Sequence, residues 1–114
     1  MNNGNYDGWI NIWADTGIQM APNAPIRRGK DEIAKGSEPF FAEFNFNMEI
    51  HSVEILKLTK SIGVVLTLYS FAGTPKNGGD EIVFEPNGKS ITFWEKHANQ
   101  WKLQLDCFNS NVEL

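Results

Sequence analysis

Asp106 is the side chain of this sequence best placed for acid–base chemistry. It lies in the second of two apolar runs that flank the polar segment 97–100, a pattern typical of an antiparallel hairpin over residues 88–111. Alternation along that strand puts Asp106 and Phe108 on one partly apolar face. If this face lines a cavity, desolvation raises the pKa of the Asp106 carboxyl group, which could then act as a general base or anchor a ligand.

A structural role is the alternative for Asp106. Its carboxylate could accept hydrogen bonds from the neighbouring backbone or from a Trp indole and so hold the hairpin in register. One carboxylate without a placed partner does not make an acid–base pair. Both roles therefore stay open.

Aromatic side chains near both ends of the chain could line a pocket for a flat hydrophobic ligand, although aromatics at such spacing are more often plain core. The candidate ligand-binding residues are Trp9, Trp13, Thr92, Trp94, Gln104 and Phe108.

Composition excludes several classes of protein. The chain has 114 residues, enough for one domain over 1–114, and its net charge of −4, without a basic stripe, argues against a nucleic-acid partner. Cys107 is the only cysteine, so no intrachain disulfide is possible. His51 and His97 stand far apart without other ligands at suitable spacing, so we expect no metal and no cofactor.

The location follows from the absence of targeting signals in the sequence. The first residues show no basic region followed by an apolar one, and no apolar run approaches membrane-spanning length. We therefore expect a cytoplasmic protein that makes no contact with a membrane.

The first half of the chain is predicted to contain two helices. Apolar residues from Tyr6 to Trp13 recur at helical spacing, which predicts a short amphipathic helix beginning near Asn5 or Asp7, and a short strand follows at 18–21. A second helical region covers 29–45, with Asp31 as a plausible N-cap.

Pro39 interrupts that second helical region, because a proline inside a helix removes one hydrogen bond. We expect either a kink or a restart with Ser37 as a new N-cap. In both cases Phe40, Phe41 and Phe44 should pack inward.

The second half of the chain reads as antiparallel strands. The apolar residues after Phe46 change parity, which predicts a bulge near residues 51–52. A strongly apolar strand follows at 62–72, then a loop at 73–79 and a short edge segment at 80–85 before the hairpin. Helices followed by a run of strands predict an α+β fold.

With this order of elements, the chain resembles the SnoaL-like and DUF4440 branch of the NTF2-like, or cystatin-like cone, superfamily. The resemblance implies a curved antiparallel sheet packed against two short or kinked helices around an apolar cone. It rests on blocks in the right order through nearly the whole chain: residues 3–15, 20–23, 28–33, 88–94 and 101–111.

One departure from that family concerns the N-terminus. Members ordinarily carry a complete helix before the turn at which this chain begins, so we expect an N-terminally truncated fold that exposes apolar surface. Because sheet faces in the family commonly pair, the resemblance implies a homodimer through the sheet.

The resemblance also allows a test of one known chemistry of the superfamily. Ketosteroid isomerase needs an aspartate base and an oxyanion hole made by a tyrosine and a neutral aspartic acid. In this chain the base position falls on Ala21, the second acid falls at or beside Thr92, and the hydroxyl donor belongs to the absent helix. Steroid isomerisation by that mechanism is therefore not expected.

The leading hypothesis is that the protein binds a small hydrophobic molecule in an apolar pocket, with catalysis weak or absent. A structural or interaction module whose cone is filled by its own aromatics is the first alternative. The second is an isomerase, cyclase or hydrolase that uses Asp106 as its general base.

Overall fold

The structure, a computed structural model, describes residues 6–111. Its two helices are α1 (Tyr6–Asn11) and α2 (Lys30–Glu43). Its six strands are β1 (Trp13–Met20), β2 (Arg27–Arg28), β3 (Phe44–Leu58), β4 (Ile62–Pro75), β5 (Ile82–His97) and β6 (Gln100–Ser110). No helix in this range is long and apolar enough to cross a membrane.

All six strands form one curved sheet in the order β2-β1-β6-β5-β4-β3. The α+β cone expected from the sequence is confirmed. The sheet is mixed rather than wholly antiparallel, because β1 pairs with β6 in parallel. Helix α2 makes this possible by carrying the chain from the β1–β2 edge to the opposite edge, where β3 begins.

The predicted hairpin is confirmed as β5 and β6. Its turn consists of Ala98 and Asn99, whose φ angles of 47° and 67° lie in the left-handed region that two-residue hairpin turns require. The separate edge segment predicted at 80–85 is wrong, because β5 runs without a break from Ile82. Pro86 and Asn87 are accommodated as a bulge within this strand, between the pairs Tyr69–Gly88 and Phe71–Glu85.

Helix α1 is shorter than the aromatic spacing predicts. It ends at Asn11, and Trp13 already opens β1, so the strand predicted at 18–21 begins five residues earlier. Of the two candidate first residues, Asp7 lies inside α1 and Asn5 lies outside the described residues.

Helix α2 is continuous and contains Pro39, so the predicted restart at Ser37 is wrong. Gly29 occupies the N-cap without a side-chain hydrogen bond, so the assignment of Asp31 as N-cap is also wrong. Packing accounts for the continuity, because Ser37 is buried within the helix and Phe41 is buried in the core. Phe40, which was expected to point inward, is 52% exposed.

Strands β3 and β4 form a long antiparallel ladder. The bulge predicted near residues 51–52 is confirmed by a shift of register between Ile50 and Ser52. Strand β4 continues to Pro75, so the loop that follows begins three residues later than expected. Residues 49–58 of β3 are all exposed, including large apolar side chains such as Val53.

The core lies between the two helices and one end of the sheet. Trp9 of α1 contacts Phe41 of α2 at a ring distance of 5.4 Å, and Phe41 meets Phe46 of β3 edge-on at 5.2 Å. Trp9 also packs edge-on against Trp13 at 5.9 Å. Ile33 and Leu103 complete the buried cluster. Aromatic burial therefore joins both helices to the sheet at one place.

Gly88 makes room for the ring of Tyr69, its partner on β4. A Cβ atom at Gly88 would lie 2.4 Å from two atoms of that ring, so we expect Gly88→Ala to destabilise the protein by about 1–3 kcal/mol. Chemical denaturation followed by Trp fluorescence measures this change. The control is Gly63→Ala, where the nearest atoms would be 3.8 Å away, and it should not destabilise. Equal stabilities for the two variants would contradict the prediction.

Candidate functional site

A cavity of about 530 Å³ opens on the concave face of the sheet. Its walls come from α1 and from strands β1, β3, β4, β5 and β6, and most of its lining is apolar. The polar side chains in the lining are Gln19, Thr67, Tyr69, Glu85, Ser90, Thr92 and Asp106.

Five of the residues singled out from the sequence meet in this cavity: Trp9, Thr92, Trp94, Asp106 and Phe108. They come from α1, β5 and β6, so the fold joins the two ends of the chain at one site. Trp94 and Thr92 are also linked directly, since the indole Nε1 of Trp94 donates a hydrogen bond of 3.0 Å to Oγ1 of Thr92.

Trp13 and Gln104, the other two candidate ligand-binding residues, are not part of the lining of this cavity. Trp13 is 1% exposed and belongs to the core. Gln104 donates from Nε2 to the backbone oxygen of Thr16 at 3.0 Å and to its Oγ1 at 3.2 Å. Gln104 lies outside the cavity because β6 contains a bulge at this point. The bulge reverses the alternation of side chains between Leu103 and Asp106, so that both of these residues line the cavity.

Asp106 lies between Gln19 of β1 and Thr92 of β5 in the sheet. Its Oδ1 atom is buried and has no hydrogen-bond partner within residues 6–111. The structural role considered for Asp106 required a backbone or indole donor, whereas the indole of Trp94 donates to Thr92. Burial, and secondarily the charge of Glu85, raises the pKa of Asp106 to about 7.

The sequence places no polar partner beside Asp106. In the structure, Glu85 and Tyr69 line the same cavity as Asp106. The Tyr69 hydroxyl donates a hydrogen bond of 3.1 Å to Oε1 of Glu85, and both side chains are buried. Burial raises the pKa of Glu85, and this effect exceeds the lowering by the hydrogen bond from Tyr69. Burial and the neighbouring Glu85 also raise the pKa of Tyr69, which keeps its proton at neutral pH.

The sequence interpretation missed Glu85 for a specific reason. The sequence predicts a short edge segment at 80–85 that ends before the hairpin, and this places Glu85 at the end of that segment. In the structure the bulge at Pro86 and Asn87 turns Glu85 onto the same face as its β4 partner Phe71, and both line the cavity. A proline inside an otherwise strand-like run is the signal that could have revealed this.

A second cavity, of about 400 Å³, adjoins the first between the sheet and α2. It also reaches the loop after β1, where the expected catalytic-base position holds Ala21. Arg27 lies in its lining among aromatic side chains. The lining residues common to both cavities are Trp9, Gln19, Phe71, Glu85 and Phe108.

A third cavity, of about 500 Å³, lies at the start of α2 and shares no lining residue with the other two. Its lining is mainly charged and includes Asp15, Arg28 and Lys30. Over the described part of the chain, no group of three His, Cys, Asp or Glu residues could hold a metal ion.

A model of the SnoaL-like domain family matches residues 1–102. Comparison with curated proteins finds no match. Among solved structures, a ketosteroid isomerase-like protein from Erwinia carotovora atroseptica is similar with a TM-score of 0.75 and 20% identity, over 96% of this chain and 84% of that one.

Two further solved structures have the same fold. A proposed dehydratase of the NTF2-like family from Streptomyces avermitilis has a TM-score of 0.81 and 12% identity, over 96% of this chain and 86% of that one. An NTF2-like superfamily protein from Salmonella enterica has a TM-score of 0.78 and 12% identity, over 98% of this chain and 81% of that one. At these identities the likeness shows the fold alone.

The raised pKa of Asp106 makes stability depend on pH. The folded protein binds this proton more tightly than the unfolded chain, whose carboxyl has a pKa near 3.8, so the stabilisation is complete below about pH 4 and is lost as the pH rises through about 7. We expect Asp106→Asn to stabilise the protein more at pH 8 than at pH 5, because only wild type then carries a buried carboxylate. Urea unfolding at both pH values measures the difference.

The control for this prediction is Asp80→Asn, which changes an exposed aspartate in the loop before β5. Its effect on the free energy of unfolding should be small and similar at the two pH values. A difference between wild type and Asp106→Asn that does not change with pH would contradict the prediction.

Proposed function

The chain belongs to the SnoaL-like domain family, and from this premise we propose that it is a cytoplasmic protein that binds a small hydrophobic molecule in the cavity lined by Asp106. The observation that carries the proposal is the buried, unpartnered Oδ1 of Asp106 on a wall that is otherwise mostly apolar. A buried acceptor without a donor is costly, and a ligand that brings a hydroxyl or amine hydrogen removes that cost.

Shape and composition support the same proposal. A volume of about 530 Å³ lies within the range of small-molecule sites, which combine a largely apolar wall with a few polar groups. The indole of Trp94 and the ring of Phe108 provide flat surfaces on either side of Asp106 along the sheet. A module whose cone is filled by its own aromatics is less favoured, because this volume lies open among those side chains.

Proton transfer is the second candidate function, and a separate observation favours it. With a pKa near 7, Asp106 populates both its acid and its base form at neutral pH, as a group that accepts and returns a proton must. Glu85, held by Tyr69, is the neighbouring carboxyl group that could relay the proton. An isomerase, cyclase or hydrolase would use Asp106 as its base, and the names of similar structures include an isomerase-like protein and a proposed dehydratase.

Replacement of Asp106 tests the binding proposal. Small hydrophobic compounds are screened for those that raise the Tm of wild type at pH 7, and their affinities are measured by calorimetry. We expect Asp106→Asn to weaken the affinity of a compound with a hydroxyl or amine group about tenfold, since a hydrogen bond to a charged group contributes about 1.5–3 kcal/mol. Asp80→Asn, on the exposed loop, should leave the affinity unchanged.

Unchanged affinity in Asp106→Asn would show that Asp106 is structural. The same compounds separate the two candidate functions. Incubation of each bound compound with wild type, followed by mass spectrometry and NMR in deuterated water, reveals conversion or proton exchange. A compound recovered without conversion or exchanged hydrogens supports binding alone.

We also propose that the outer, convex face of the sheet pairs with a second copy of the chain. Ile91 and Phe93 alternate with the cavity residue Thr92 and are 41% and 40% exposed. On β4, β5 and β6 this outward patch contains no charged residue, so the same patch on a second copy is a complementary partner. Lys57 and Glu54, the β3 partners of Val64 and Leu66, lie at its margin. The patch consists of two cross-strand rows. One row is Val64, Phe93 and Leu105, and the other is Leu66, Ile91 and Cys107.

Sedimentation equilibrium at micromolar concentration tests this pairing. Wild type should be a dimer, and Phe93→Lys should be a monomer, because a charge would be buried at the interface. The control is Val53→Lys, at an apolar position that is 60% exposed and whose β4 partner Thr67 faces the cavity. A monomeric wild type, or the same dissociation in both variants, would contradict the proposal.

A further inference from the structure

Arg27 places a cation in the second cavity, which is otherwise largely aromatic. The residue lies in the short strand β2 and is only partly exposed. The phenylalanines that share the lining are Phe40, Phe41, Phe46, Phe71, Phe84 and Phe108. A guanidinium group beside apolar rings needs either an anion or solvent to balance its charge.

Two contacts hold the Arg27 guanidinium in place. Its Nη1 donates a hydrogen bond of 2.9 Å to Oε1 of Gln19, which lines both cavities. It also lies against α2 at Gly36, where a Cβ atom would come within 2.4 Å of Cζ and Nε of Arg27. Glycine inside a helix costs about 1 kcal/mol relative to alanine, and here it provides the space that the guanidinium occupies.

The guanidinium has no anionic partner in the described part of the chain. Within residues 6–111 the one ion pair joins His97 to Glu95, so no carboxylate lies within 4 Å of Arg27. Glu85 lines the same cavity, but its Oε1 accepts the Tyr69 hydroxyl, and burial favours its neutral form. Arg27 has five N–H donors, and one of them donates to Gln19. The remaining donors can bind an oxyanion through two parallel hydrogen bonds.

We propose that Arg27 binds the anionic group of the ligand, and that the ligand is therefore an apolar acid whose hydrophobic body extends from the second cavity into the first. Gln19 and Glu85 lie in both linings, so one molecule can contact Arg27 at one end and Asp106 at the other. This inference rests on the proposed binding function and adds the chemical class of the ligand.

Two fluorescent probes with the same aromatic body test the inference. 1-Anilinonaphthalene-8-sulfonate carries an anionic group, and N-phenyl-1-naphthylamine lacks it. Each is titrated into wild type and Arg27→Gln at 150 mM salt, which screens distant charges. We expect Arg27→Gln to weaken binding of the sulfonate at least tenfold and to change the affinity of the neutral probe less than twofold.

The matched control is Arg28→Gln, which makes the same change in net charge at the adjacent, exposed residue outside both cavities. It should change neither affinity more than twofold. Gly36→Ala is a second test, because it keeps the charge of Arg27 but displaces its guanidinium group. It should weaken binding of the sulfonate probe and leave the affinity for the neutral probe unchanged. Thermal unfolding checks that each variant is folded.

Equal losses for both probes in Arg27→Gln would overturn the inference, because Arg27 would then only support the cavity wall. So would an unchanged affinity for the sulfonate. If wild type binds the neutral probe but Arg27→Gln leaves the affinity for the sulfonate unchanged, Arg27 is not an anion site, while the binding proposal stands. If wild type binds neither probe, both proposals fail.

Discussion

Aromatic packing at one end of the sheet holds the rest of this structure in place. The rings of Trp9, Phe41 and Phe46 bring together α1, α2 and β3, which have few other contacts with one another. Burying several aromatic rings in one cluster contributes a large share of the hydrophobic stabilisation available to a chain of this size. Because this cluster occupies only one end, the helices cover part of the concave face and leave the remainder open as cavities.

The polar site depends on that arrangement energetically. Glu85 and Asp106 both lose solvent in the folded state, which raises the pKa of each, and the charge of Glu85 raises the pKa of Asp106 further. Such groups oppose folding at neutral pH, and the apolar core must offset the cost. The cost is consistent with selection for function, since an isosteric neutral residue at Asp106 would remove it.

Much of the fold could be predicted, because strand alternation and turn composition are local properties of the sequence. The hairpin of β5 and β6 and the bulge after Ile50 follow from the spacing of apolar residues alone. Packing overrode local signals in α2, where Pro39 remains inside a continuous helix because neighbouring turns are buried against the sheet. Asp106, Thr92 and Trp94 were singled out as site residues from the same local patterns.

By itself the sequence determined the succession of elements and identified Asp106 as the acid on an apolar strand face. Tertiary structure decided which face of each strand meets the cavity. Bulges at Gln104 and before Gly88 reverse the alternation, so Gln104 turns away from the cavity and Glu85 turns into it. A bulge is fixed by hydrogen bonds to a neighbouring strand, and the pKa of Asp106 by atoms from several strands, so neither can be obtained from residues adjacent in the chain.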